Sequence, residues 1–375
     1  MKKKIIATLL LVVIAIGSFG CKKKSTEKEE ITPTPTDSPV TMAPSENKED
    51  DTTVGTIVDD NENHEGMVRS KLTGEWIDEA VGNLRPYAIM INNIINANPQ
   101  SGLSEAAIIY EALAEGGITR FLAIYDDLYD EEGNLIEKIG SCRSARHYYA
   151  SFADEYDAIF VHYGETKYAT SKIKQLGLDT LSGLTGIGTT VFYEDNSKPA
   201  PHHIYTSGEG ILAGTQKKGY RTEYNDGYEG HFQFYTEDTD LDSTLDVNKL
   251  TLKYSNFKPY FVYDEETKLY QRYQFGDEHI DATTGEQLTF KNIIVQFVNE
   301  YNKDKNGYQT MDIENNKGEG YYITNGQAIP ITWKKNESSK KMRYYNQAGE
   351  ELVINPGKTF ISIFPDAHTD HVVFE

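Results

Sequence analysis

Residues 106–127, AAIIYEALAEGGITRFLAIYDD, decide how this chain folds, because they admit two readings. Ile108–Leu113 contains helix formers, which favours a helix running towards Gly116-Gly117. The other reading is a hairpin, with the glycine pair as the turn between two apolar runs. Past the glycines, Thr119, Phe121, Ala123 and Tyr125 alternate with Ile118, Arg120, Leu122 and Ile124, as along a strand. The hairpin is preferred, and it sets Glu111, Glu115 and Arg120 on neighbouring strands. Charged side chains in apolar strands are seldom buried unless paired, so a structural ion pair or a solvated face is the plain explanation of all three.

Upstream, the run Ala88–Ile91, bounded by Pro86 and the pair Asn92-Asn93, reads as a strand buried on both faces, and Ser101 is placed to cap a helical turn over Leu103–Ala106. Downstream, Ile139–Gly164 (IGSCRSARHYYASFADEYDAIFVHYG) packs two arginines, a cysteine, two histidines and six aromatic residues between a turn and a strand. Within and after it, Ser151–Tyr156 reads as helical, Ala158–Tyr163 as a strand, and Tyr168–Leu176 as an amphipathic helix closed by Gly177.

From Leu250 the pattern changes to short strands at close spacing. They are expected around Phe261–Tyr263, Leu269–Tyr273, Ile293–Val298, Tyr321–Thr324, Ile329–Trp333 and Phe360–Phe364, with turns such as Asn325-Gly326. The expected fold class is therefore α+β. Residues 68–245 form an N-terminal mixed α/β domain, a central sheet with flanking helices. Residues 246–375 form a smaller, mainly-β domain, read as a sandwich, barrel or curled sheet. Trp333, Tyr344 and Tyr345 make either a surface platform for sugar or peptide or a cross-strand aromatic cluster.

The start of the chain places the protein. Residues 1–20 combine Lys2, Lys3 and Lys4 with the short apolar run Ile5–Ile16, a secretory leader too short to be a comfortable membrane span. It ends in Ser18-Phe19-Gly20-Cys21, which resembles a bacterial lipobox. Cys21 is thus the expected lipidation site, its acyl chains, palmitate among them, forming the membrane anchor. Residues 21–67 are poor in apolar residues and rich in Thr, Pro, Ser, Glu and Asp, the composition of a disordered tether. The expected location is extracytoplasmic, with the membrane contacted through the N-terminal lipid alone.

The formal charge is −21, and removing the leader's three lysines leaves −24. Such an acidic chain is unsuited to nucleic acid, whose phosphates require basic patches. Of the two cysteines, acylation of Cys21 leaves Cys142 without a disulfide partner.

Against that acidity, Arg143-Ser144-Ala145-Arg146 is the notable motif. On the first turn of a helix, a spacing of three would set both guanidiniums on one face, able to grip phosphate or carboxylate, with the amides of Ser144 to Arg146 as an anion nest. The plain alternative pairs both arginines with Asp154, Glu155 or Asp157. The candidate binding residues are Arg120, Arg143, Ser144, Arg146, Glu111 and His202. Cys142 as a nucleophile activated by His147, His162 or His203 stands as an alternative to a packing role for the thiol; a metal site from His147, His162, His202, His203 and Glu165 is disfavoured, because no spacing among them matches a ligand motif. Gly183–Gly188 has neither phosphate-loop nor dinucleotide spacing. Asn302–Gly307 resembles a calcium loop, but its twelfth position is Ile313 rather than an acid. No metal and no cofactor are expected.

RPYAIMINN (residues 85–93), SGLSEAAIIYEALAEGGITRFLAIY (residues 101–125), IGSCRSAR and DAIFVHYG resemble the YerB-type lipoproteins, a bacterial family of unknown function. GEGYYITNGQAIPITWKK and LVINPGKTFISIFP resemble that family's C-terminal domain. The resemblance covers nearly the whole chain after the tether and implies a two-domain layout without an established activity. His202 matches the family's Pro-His-Asn pattern and His203 departs from it; the family carries an aliphatic residue where this chain has Cys142. The order of elements also faintly resembles the LytR-CpsA-Psr enzymes, without a diagnostic motif. The leading expectation is an envelope lipoprotein that binds a partner protein or an anionic envelope ligand such as a glycan or polyprenyl phosphate. The alternatives are a glycopolymer or polyprenyl-phosphate transferase or hydrolase, and an assembly factor for a membrane enzyme.

Overall fold

The computed structural model describes residues 64–314, 317–336 and 341–375, which fall within one compact unit. The expected leader, Cys21 and the expected tether as far as residue 63 lie outside them. Among the described residues, no helix is long and apolar enough to cross a membrane.

After a short antiparallel pair, Met67–Arg69 with Trp76–Asp78, the strand Tyr87–Asn93 (β1) enters the central sheet, and the ambiguous stretch is a hairpin of Ile108–Leu113 (β2) and Thr119–Tyr125 (β3). Gly116 and Gly117 turn it with φ of +76° and +70°, a region open to glycine at little cost. Every residue of the three strands is buried, so the sheet is covered on both sides and no polar alternation marks β2 as a strand. Leu103–Ala106 makes a turn and not a helix. The Asp281 carboxylate takes the amides of Gly102 (3.0 Å) and Ser104 (2.8 Å), the latter the donor that a Ser101 cap would have used.

Next come helix His147–Glu155 (α1), strand Ile159–His162 (β4), helix Lys167–Leu176 (α2), strand Thr180–Ser182 (β5) and helix Gly208–Lys218 (α3). α2 is capped by the Thr166 side chain and closed by Gly177 in the left-handed conformation, φ +66°. α1 starts four residues before the expected helix, so His147 lies in its first turn.

The longer strands of the C-terminal region are Lys249–Leu252 (β6), Tyr260–Asp264 (β7), Leu269–Gln274 (β8), Asn292–Asn302 (β9), Gln309–Asp312 (β10), Lys317–Thr324 (β11), Gln327–Lys335 (β12), Met342–Tyr345 (β13) and Thr359–Pro365 (β14). The class is α+β, with the α-helices all in the N-terminal region of the described chain. The C-terminal strands do not close into a sandwich or barrel of their own. β14 runs parallel to β2, Thr359 beside Ile108 and Ile363 beside Ala112, and parallel to β9 on its other edge. A twelve-stranded sheet results, whose main path is a short Leu245–Asp246 strand, then β12-β11-β9-β14-β2-β3-β1-β4-β5. The reason lies in β2: an apolar strand left as an edge would expose unpaired amides and carbonyls, and β14 satisfies them.

A second, six-stranded sheet contains β6, β7 and β8. It covers one face of the large sheet, where Phe261 of β7 meets Phe360 of β14 at 5.0 Å between ring centroids. α1 covers the other face: Phe152 stacks on Tyr110 of β2 at 4.4 Å. Trp333 and Tyr344 are in register across β12 and β13 and are 1% and 3% exposed, with Tyr344 stacked on Phe232 at 5.9 Å, so they belong to the core rather than to a surface platform.

Candidate functional site

The hairpin directs its charges to opposite faces. Glu111 pairs in register with Phe121, and Arg120 with Ala112, so the two side chains leave the sheet on different sides. On the β8 side, Glu111 is fully buried and accepts from Asn93 Nδ2 (2.8 Å), Thr119 Oγ1 (2.7 Å) and Arg272 Nη2 (3.0 Å). The Arg272 guanidinium lies 5.1–5.6 Å from the ring centroids of Phe121, Phe261 and Phe360. Its Nη1 donates to Nδ1 of His279, whose Nε2 donates in turn to Gln100 Oε1 (2.8 Å). Burial raises the Glu111 pKa and lowers that of Arg272, each opposed by the other's charge. Glu111 therefore sits in a closed network that ties the two halves of the chain together. Its partner Arg272 is anonymous in sequence, because nothing in LYQRYQ marks which strand β8 will cover.

The α1 side is different. Arg120 is 4% exposed, yet its guanidinium Nε and Nη1 have no hydrogen-bond partner. Burial, then the charges of Arg146 and Arg143, pushes its pKa down to about 9. Glu115, the carboxylate whose field reaches it, is held by Arg146 through Nε (2.9 and 2.8 Å) and Nη2. Burial acts to raise the Glu115 pKa, but the hydrogen bonds and charge of Arg146 outweigh it and the net shift is downward. Arg120 is thus a buried cation without a counter-ion of its own, an arrangement that costs several kcal/mol.

Arg143 and Arg146 do not share a helical turn. Arg146 is the N-cap of α1, in extended geometry and without a side-chain cap. Arg143 lies in an extended segment fixed across the end of β1, its amide on Met90 O (2.9 Å) and its carbonyl accepting from Tyr163 N (3.1 Å). The Ala145 amide is used by Gly164 O (2.9 Å), so the expected anion nest loses that donor. Ser144 Oγ donates to Tyr163 O (3.3 Å). Gly164 permits this close approach: at φ +88°, a Cβ there would stand 2.8 Å from Ser144 Oγ. Arg143 itself is half-buried, with Nη1 on Pro201 O (3.3 Å) and Nε unpartnered.

His202 completes the group. Asn92 Nδ2 donates to its Nδ1 (2.8 Å), leaving the ring proton on Nε2 as a free donor. Burial, followed by the charges of Arg143 and Arg120, lowers the His202 pKa, so the ring is neutral at pH 7. Asn92 pairs in register with Arg120, and its amide donates to the carbonyl of Ser141, whose buried Oγ has no partner. Arg120, Arg143 and His202 therefore present donors and positive charge without a neutralising carboxylate, while Arg143 and His202 reach solvent. Donors and charge so arranged have the chemistry to pair with an anion.

The other candidates have structural employment. The Cys142 thiol is buried and its pKa pushed far up by burial, the opposite of an activated nucleophile. His162 spends Nδ1 on Gly164 O (2.9 Å) and Nε2 on Thr180 (2.7 Å). Asp304, in the loop that resembled a calcium site, pairs with Lys167 (2.8 Å).

The family described as protein of unknown function (DUF3048) matches twice, its N-terminal domain over residues 72–221 and its C-terminal domain over residues 250–361. The chain is 33% identical over 303 residues to the "Putative lipoprotein YerB" of Bacillus subtilis (strain 168), covering 80% of this chain and 87% of that one. The crystal structure of YerB protein from Bacillus subtilis superposes with a TM-score of 0.70 at 29% identity, covering 82% of this chain and 99% of that one.

Proposed function

The chain belongs to the DUF3048 family, and on that premise we propose that it is an extracytoplasmic lipoprotein, anchored through Cys21, that binds an anionic envelope ligand. The ligand class is a phosphate or carboxylate borne on a polyprenyl carrier or glycan. The observation that carries this reading is the buried Arg120 guanidinium, unpartnered at two nitrogens beside the solvent-reaching Arg143 and His202. An anion supplies the missing counter-charge, and a charge-assisted hydrogen bond of this kind contributes about 1.5–3 kcal/mol. The likeness to a lipoprotein relative supports the envelope setting.

The test is calorimetric titration of the full chain in detergent with pyrophosphate, polyprenyl phosphate and muropeptides. At least one should bind, and Arg143→Ala, at a half-buried position, should weaken it by about tenfold or more. Arg120→Met should abolish binding while stabilising the fold by about 1–4 kcal/mol, because an uncompensated buried charge is removed. Binding unchanged in both variants, or no response from the wild type to any of these anions, refutes the reading.

A further inference from the structure

Residues Asp366–His371 form a short 3₁₀ stretch, kinked at His368 (φ −133°, ψ 37°), between β14 and the strand Val372–Phe374. Across this kink the imidazoles of His368 and His371 stack, with centroids 4.9 Å apart and planes at 9°. Asp370 joins them: one ligand atom from each of His368, Asp370 and His371 lies within 4.8 Å of the other two. None of the three side chains makes a hydrogen bond or ion pair with another described residue. The backbone beneath them is nonetheless fixed, because His371 O accepts from Lys253 N (3.0 Å) and Val372–Phe374 pairs with β6.

A second observation points the same way. His368 and His371 both line a recess of about 160 Å³, walled by Tyr254, Phe364, Pro365 and Glu300. The paired imidazoles thus front a shaped cavity, with apolar walls and a carboxylate behind them.

We propose that His368, Asp370 and His371 bind a divalent cation of the zinc class, with its open position facing this recess. Two imidazole nitrogens and one carboxylate match the three-ligand sites that zinc uses when it keeps a position for water or substrate. Bonds of about 2.0–2.2 Å in tetrahedral geometry set ligand atoms about 3.4 Å apart. His368 and Asp370 are exposed and His371 is half-buried, so side-chain rotations that move the donor atoms by about an ångström bring them to that spacing. Calcium and magnesium are hard cations that take oxygen ligands, so a set in which two of three donors are imidazole nitrogens does not suit them. Imidazole with carboxylate suits zinc, nickel and copper. The site shares no residue with the arginine cluster, so the two readings stand or fall separately.

The experiment strips the full chain with a chelator, then titrates it with zinc alone, and follows cobalt(II) substitution by its visible d–d absorption. The wild type should take up one equivalent with a tetrahedral cobalt spectrum. His368→Ala plus His371→Ala should lose that equivalent and that spectrum, and Asp370→Asn should weaken uptake. Circular dichroism verifies that each variant keeps the fold. Equal uptake by wild type and double variant, or no uptake by the wild type, overturns the proposal.

Discussion

Arg120 and Arg146 lie near each other but differ in state because one carboxylate serves only one of them. The arginines are visible in the sequence; the identity of their partner is not. Asp154, Glu155 and Asp157 are neighbours in the chain, but α1 rises about 1.5 Å per residue and carries them to its far end. There Glu155 pairs with Lys335 (2.8 Å) and Asp157 with Arg221 (2.7 Å). Glu115 meets Arg146 instead, through a hairpin turn that only the folded sheet brings to the start of α1. His147, the next residue, yields a pH prediction. Burial, assisted by the charges of Lys303 and Lys172, lowers its pKa to about 4 from 6.5. Between those values the unfolded chain binds the proton and the folded chain does not, so stability falls as pH drops from 6.5 to 4. At about 1.4 kcal/mol per unit the loss approaches about 3 kcal/mol. Urea unfolding from pH 7 to 4 should show this decline, and His147→Gln should flatten it; an undiminished slope in the variant would count against His147 as its source.

At the scale of elements, the hairpin is legible and its environment is not. Turn glycines and period-two alternation in β3 are local signals, whereas β2 reads equally as helix because both of its faces are covered. Glu111 shows the consequence. Its burial is tolerable because β8 delivers Arg272 across the sheet interface, with Asn93 and Thr119 as further donors. Breaking such a pair from one side leaves an uncompensated buried charge. Glu111→Leu and Arg272→Leu should each cost about 3–5 kcal/mol in urea denaturation of the full chain. The double variant should cost clearly less than the two together. Additive losses would mean that the pair is not coupled.

Across the whole molecule, β14 joins β2 to β9, so the N-terminal and C-terminal family regions share one sheet. Both regions should therefore unfold in a single transition. Calorimetry and near-ultraviolet dichroism of the full chain should give coincident midpoints, and two separated transitions would contradict the shared sheet. The sequence by itself determined the α+β class, the run of short C-terminal strands, the hairpin and the helix ending at Gly177, because these rest on periodicity and on residues such as glycine whose backbone preference is local. It also named Arg120, Arg143 and His202. Tertiary structure alone decided that Glu111 is neutralised and Arg120 is not, that Trp333 is packed, and that β2 and β14 are neighbours. Each of those outcomes depends on which distant strand or helix covers which face, and a pairing such as Glu111 with Arg272, 161 positions apart, leaves no signature in the order of amino acids along either partner.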